Sequence, residues 1–93
     1  MNNTNEMYEI LVDYLDEKNI QLEDYMFRAV LKSLNYKKKG YSSREANGWA
    51  YSTELIGYVG DGTANNLEDK KARKDMSALS AKVYKIYEKL NNA

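Results

Sequence analysis

The sequence predicts an all-α fold, a small bundle of about four helices with a long C-terminal helix. Three observations lead there. No proline occurs in 93 residues, where an average usage of about 5% would supply four or five, and proline is the residue that interrupts a helix. Apolar residues recur at helical spacing in four segments. Three of those segments open with a good N-cap residue and a Glu three positions later, the pattern in which two first-turn N–H groups are satisfied reciprocally. Ninety-three residues make one domain, so 1–93 is read as a single helical domain.

The first helix is expected over Thr4–Lys18, with Asn3 as N-cap, Glu6 at N3, and Met7, Ile10, Leu11, Tyr14 and Leu15 on one stripe. The second is expected over Gln21–Asn35. Leu22, Tyr25, Met26, Ala29 and Val30 form one of its faces and Phe27, Leu31 and Leu34 another, which predicts the most buried helix of the set. Asn35-Tyr-Lys-Lys-Lys-Gly-Tyr41 then reads as a basic loop. Ser42 caps a third helix with Glu45 at N3, running to Val59 through Ala46, Trp49, Ala50, Thr53 and Ile56. Gly48 and Gly57 inside it each cost about 1 kcal/mol against Ala, which makes it the weakest helix. Gly60–Thr63 reads as a turn, with Gly60 as a left-handed cap.

The last helix is expected over Asn66–Leu90, behind Asn65 as N-cap and Glu68 at N3. Ala72, Met76, Leu79, Val83, Ile86 and Leu90 fall 4, 3, 4, 3 and 4 residues apart, a heptad seam. A helix of this length spans about 37 Å, long for so small a globule. Its seam residues Met76, Leu79, Val83, Ile86 and Leu90 are therefore expected to contribute to a homodimer. The expected core is Leu11, Leu15, Met26, Val30, Leu34, Ile56, Leu79 and Val83.

Composition narrows the chemistry. Leu, Ile, Val and Phe number only 18, while nine Tyr, four Met and one Trp supply much of the remaining apolar area. A shallow, partly tyrosine-lined core follows, because each buried ring also needs a partner for its hydroxyl. With no Cys and no His, disulfides, the usual zinc sites, thiol nucleophiles and imidazole acid–base chemistry are excluded. No cofactor or metal is expected. The polar first residues carry no basic or apolar signal, and no apolar run approaches the roughly 20 residues of a membrane span, so a cytoplasmic location without membrane contact is expected. Ten Asn and eleven Lys against three Arg suggest an AT-rich genome, of a low-GC bacterium, its phage or another mobile element.

A net charge of zero hides a dipolar chain. Residues 1–25 carry seven acidic groups and one basic, whereas residues 26–44 carry six basic and none acidic. The carboxylate pairs Asp16–Glu17, Glu23–Asp24 and Glu68–Asp69 fall in first or last helical turns, where they read as solvated and not as a catalytic pair. Gly57-Tyr-Val-Gly60-Asp-Gly62 lacks the preceding strand and the Lys of a phosphate loop, and reads as a cap and turn. Lys70, Lys71, Arg73 and Lys74 form a second basic run, compensated by the i,i+4 pairs Asp69–Arg73 and Lys71–Asp75.

The stretch from Tyr36 to Arg44 is the most suggestive. Its cations suit phosphates or an acidic protein surface, and its tyrosines suit stacking or docking. The expected contact residues are Lys37, Lys38, Lys39, Tyr41 and Arg44, with Trp49 and Tyr51 near them. Without net basic charge, the expected partner is another protein, and the expected role is a non-catalytic inhibitor, immunity factor or adaptor. The alternative is a small dimeric nucleic-acid-binding regulator using the Lys37–Arg44 loop and the start of the last helix.

Overall fold

A computed structural model describes residues 4–55 and 67–92. These form a helical bundle: α1 (Thr4–Glu17), α2 (Asp24–Lys38), α3 (Ser43–Ala50), which continues into a π-helical turn (Tyr51–Leu55), and α4 (Leu67–Asn92). No strand occurs among the described residues. None of their helices is long and apolar enough to cross a membrane.

The first two helices end in the same way. After α1, Asn19 takes a left-handed φ of 57°, its N–H donates to the Asp16 carbonyl at 3.2 Å, and the Ile20 N–H reaches back to the Leu15 carbonyl at 2.9 Å. After α2, Gly40 has φ 107°, its N–H donates to Lys37 at 3.0 Å, and the Tyr41 N–H to Tyr36 at 3.2 Å. Each is a Schellman closure, in which a residue with positive φ lets two N–H groups satisfy the last carbonyls. Asn and Gly are the residues that take that conformation at least cost.

The expected basic loop is corrected by this second closure. Residues 35–38 stay helical and only Lys39–Ser42 connect α2 to α3. Lys37 and Lys38 lie in the last turn, where cations favour the negative end of the helix dipole, and Gly40 stops the helix. At its other end α2 starts at Asp24, after an extended Glu23 that makes no side-chain cap.

Ser42 caps α3 as expected, accepting from the Glu45 N–H while Glu45 accepts from the Ser42 N–H. After Ala50 the α-helix passes into the π-turn that runs to Leu55, and the expected continuation to Val59 lies outside the described residues. Ser52 and Thr53 hydroxyls donate to the Trp49 carbonyl at 3.1 and 2.9 Å, so side chains supply donors where the backbone widens into the π-turn. The expectations for Asn3, Ile56, Gly57, the Gly60–Thr63 turn and Asn65 lie outside the described residues.

α2 is the central element and packs on α1, α3, the π-turn and α4. Its Met26, Ala29, Val30 and Leu34 meet Met7, Leu11 and Leu15 of α1 and Ala72, Met76 and Val83 of α4 in one core. Leu79 is only half-buried there. The long last helix is present at 26 residues, but its seam divides. Met76 and Val83 are sealed inside the chain's own core, because the seam packs on the α1–α2 layer, and they are not free to meet a second copy. Leu79 and Ile86 are half-buried and Leu90 is exposed.

Candidate functional site

The three consecutive lysines separate because successive helical residues point about 100° apart. Lys37 turns inward and is 6% exposed. It continues the stripe of Val30 and Leu34, and its ammonium donates to Ser80 Oγ at 2.8 Å and lies 5.9 Å from the Tyr84 ring centre. Ser80 pairs with Ser33 at 2.8 Å, and Ser33 donates to Asn47 Oδ1 at 2.5 Å. Ser33 and Ser80 are fully buried. This polar seam ties α2 to α3 and α4, and burial pushes the Lys37 amine below its ordinary pKa. Lys38 turns the other way, pairing with Glu6 of α1 at 3.3 Å and lying over the Tyr87 ring.

Lys39 alone of the three reaches the surface the sequence points to. Its ammonium sits 5.9 Å from the Tyr36 ring centre. Tyr36 meets Tyr41 edge to face at 5.8 Å, and Trp49 meets Tyr36 at 5.1 Å and Tyr41 at 4.8 Å. The turn builds the first of these contacts, since the Schellman closure brings the residue after the glycine back onto the last turn. The helix start at Ser42 then delivers Trp49. Trp49 and Tyr41 remain 40% and 43% exposed, a large apolar surface held rigid by ring-on-ring contacts.

Beside the rings runs a groove of about 380 Å³ lined by Arg28, Leu31, Lys32, Asn35, Tyr36, Lys39 and Glu54. Glu54 accepts from Arg28 Nε and Lys32 Nζ, both at 3.0 Å, and the hydrogen bonds from Arg28 and then Lys32 hold its carboxyl below the usual range.

Arg44 and Tyr51 are not part of that surface. Both line a second groove of about 240 Å³, with Asn47, Gly48, Arg73, Met76 and Ser77. Lys71 pairs with Asp75 at 2.8 Å as the spacing predicts, while the side chain of Asp69 lies outside the described residues.

No known protein family matches the chain, and no curated protein or solved structure resembles it significantly.

Among the described residues no group of three or more carboxylates is placed to hold a metal ion. The surface beside α2 carries rings, cations and one carboxylate. Sequence reasoning missed Tyr36 as the hub of the ring cluster and missed the second groove. Tyr36 and Tyr41 flanking a glycine was the available signal for the first. Nothing in the spacing joins Arg44 to Arg73.

Proposed function

We propose that the chain is a small, non-catalytic binding protein that acts on another protein as an inhibitor, immunity factor or adaptor. It docks through the Tyr36–Tyr41–Trp49 cluster and the groove beside it. One observation carries this reading: the sole Trp and a Tyr stay about 40% exposed while fixed edge to face. Rigid exposed aromatics bind with little loss of side-chain freedom, and Trp and Tyr dominate interface hot spots. Arg28, Lys32 and Lys39 against Glu54 leave the groove positive, which favours an acidic partner surface.

The test compares the wild-type chain with Trp49→Ala for a partner captured from host extract and then purified. Affinity should fall by about thirtyfold or more, a hot-spot loss of at least about 2 kcal/mol, with the melting temperature unchanged. Equal affinity of the two proteins for that partner would remove the cluster from the interface.

A nucleic-acid partner is the second reading, favoured by Lys39 standing over Tyr36 beside stackable rings. Titrating Trp49 fluorescence with single-stranded oligonucleotides separates the two, since phosphate contacts make log affinity fall linearly with log salt. The proposed compartment is the cytoplasm.

We also propose a weak homodimer through the C-terminal half of α4. Leu90 is 64% exposed and lines a groove of about 120 Å³ with Ile10, Tyr14, Ile86, Asp13 and Glu17. Lys82, Lys85 and Lys89 are exposed on α4, so a two-fold axis would set lysines of one copy against the acidic rim of the other. Light scattering should detect the dimer at micromolar concentration and lose it in Leu90→Glu.

A further inference from the structure

Some cations of this protein meet a carboxylate, and two arginines without one among the described residues share a groove. Arg28 and Lys32 share Glu54, Lys38 pairs with Glu6 and Lys71 with Asp75. Arg44 and Arg73 line one groove together, and no carboxylate among the described residues pairs with either or lines it. Like charges in one concavity repel, and an anion between them turns that repulsion into attraction.

The groove is furnished with donors. The Arg73 guanidinium lies 4.5 Å from the Tyr51 ring centre. This stacking restricts the long side chain before any ligand arrives. Asn47 accepts from Ser33 through Oδ1, which orients its amide and leaves Nδ2, a donor, without an acceptor among the described residues. Ser77 adds a hydroxyl to the lining.

A second observation is independent of charge. Gly48 lies inside α3 and lines the same groove. A Cβ built there would meet nothing within 4 Å, so no packing demands glycine, and its backbone is ordinary helix. Glycine at such a position costs the helix about 1 kcal/mol against Ala. What glycine does supply is an open floor between two arginines.

We propose that this groove binds a phosphoryl group in its monoester, dianionic form. Two guanidiniums match a charge of about −1.5 to −2, which a single carboxylate would leave half compensated. At about 240 Å³ the groove is smaller than a drug-sized pocket and takes the phosphoryl group with the short stem that carries it, the stem resting on Met76 and Tyr51. The group comes from a phosphorylated side chain of a partner or from a free phosphate, and the site does not depend on the aromatic docking proposed above.

The experiment is an amide NMR titration of the full chain with inorganic phosphate and with a phosphoserine peptide, against chloride at matched ionic strength. A saturable shift at Gly48 and the neighbouring amides is expected with phosphate and not with chloride. Tighter binding of the peptide assigns the source to a phosphorylated partner, and equal binding to free phosphate. Arg73→Gln and Arg44→Gln should each weaken binding by about tenfold or more. Gly48→Leu should abolish it while leaving helical content intact, and Trp49→Ala should leave it unchanged even where it destroys protein docking. Shifts that follow ionic strength alone, undiminished binding by Arg73→Gln, or tighter binding of an oligonucleotide phosphodiester at these amides would overturn the proposal.

Discussion

The interior is built in two different ways on the two sides of α2. Toward α1 it is apolar: Met7, Leu11, Val30 and Leu34 are fully buried and meet through contacts that have no direction. Toward α3 and α4 the apolar contacts of Ala50, Met76 and Val83 are joined by a line of polar groups, Asn47, Ser33, Ser80 and Lys37, linked at 2.5 to 2.8 Å. Apolar burial supplies most of the driving force but tolerates sliding and repacking. Hydrogen bonds between buried groups add little net energy, yet leaving one unmade is costly. The difference teaches a division of labour. The α1 side holds the bundle together, and the polar side fixes which faces of the short α3 and the long α4 meet α2. The ring cluster, through Trp49, and the second groove, through Arg44, Asn47 and Gly48, both draw on α3, so the directional half of the interior sets their geometry.

That contrast can be broken from either side. The largest effect is expected on the apolar side: Leu34→Ala should lower unfolding free energy by about 2–5 kcal/mol, measured by urea denaturation. A smaller loss, of about 1–3 kcal/mol, is expected for Ser80→Ala, which leaves the Lys37 ammonium buried without its hydroxyl acceptor. Amide shifts should then move around Asn47 and α3 more than in α1. Were Ser80→Ala neutral, the seam would carry no directional role.

The smallest effect has the opposite sign. Lys37→Met should stabilise by about 1 kcal/mol, because it removes a desolvated charge while Ser33 and Ser80 keep each other. The same charge gives the wild type a pH dependence. The folded-state pKa of Lys37 lies below the unfolded value of 10.5, so between the two the unfolded chain binds more protons and stability rises with pH. That contribution is full above the unfolded pKa and is lost as pH falls through the folded one. Melting at pH values rising toward that unfolded value should show a rise that Lys37→Met lacks. Tyr84, held above its ordinary value by burial, contributes the opposite slope only at higher pH.

The bundle was legible because periodicity is written in large side chains. Helices stand where the stripes of the first, second and last segments call for them, and the Ser42–Glu45 cap forms, although Leu79 is only half-buried and Leu90 is exposed. The end of α2 was not legible, because three lysines before a glycine resemble a loop by composition. Taken as helix, they put Lys37 three residues after Leu34 and seven after Val30, on the buried stripe. The polar seam was hidden for a related reason: Ser33 and Ser80 stand at core positions but carry no apolar signal. Of the predicted contact residues, Lys39, Tyr41 and Trp49 come together, and Arg44 and Tyr51 assemble elsewhere with Arg73. That second grouping joins residues far apart in the chain, and only tertiary packing brings it about.

Of the eleven lysines, Lys37 is the one classed as buried. An amine-reactive reagent will therefore label ten of them at rates set by chemistry, and the eleventh at a rate set by opening. With fast reclosing, the delay of Lys37 relative to its neighbours Lys38 and Lys39 measures the free energy of exposing the α2–α4 seam. Peptide mass spectrometry of a labelling time course thus reads out local stability at one native residue without any substitution. A ligand that clamps α3 should lengthen that delay, giving both proposed binding surfaces a common clock.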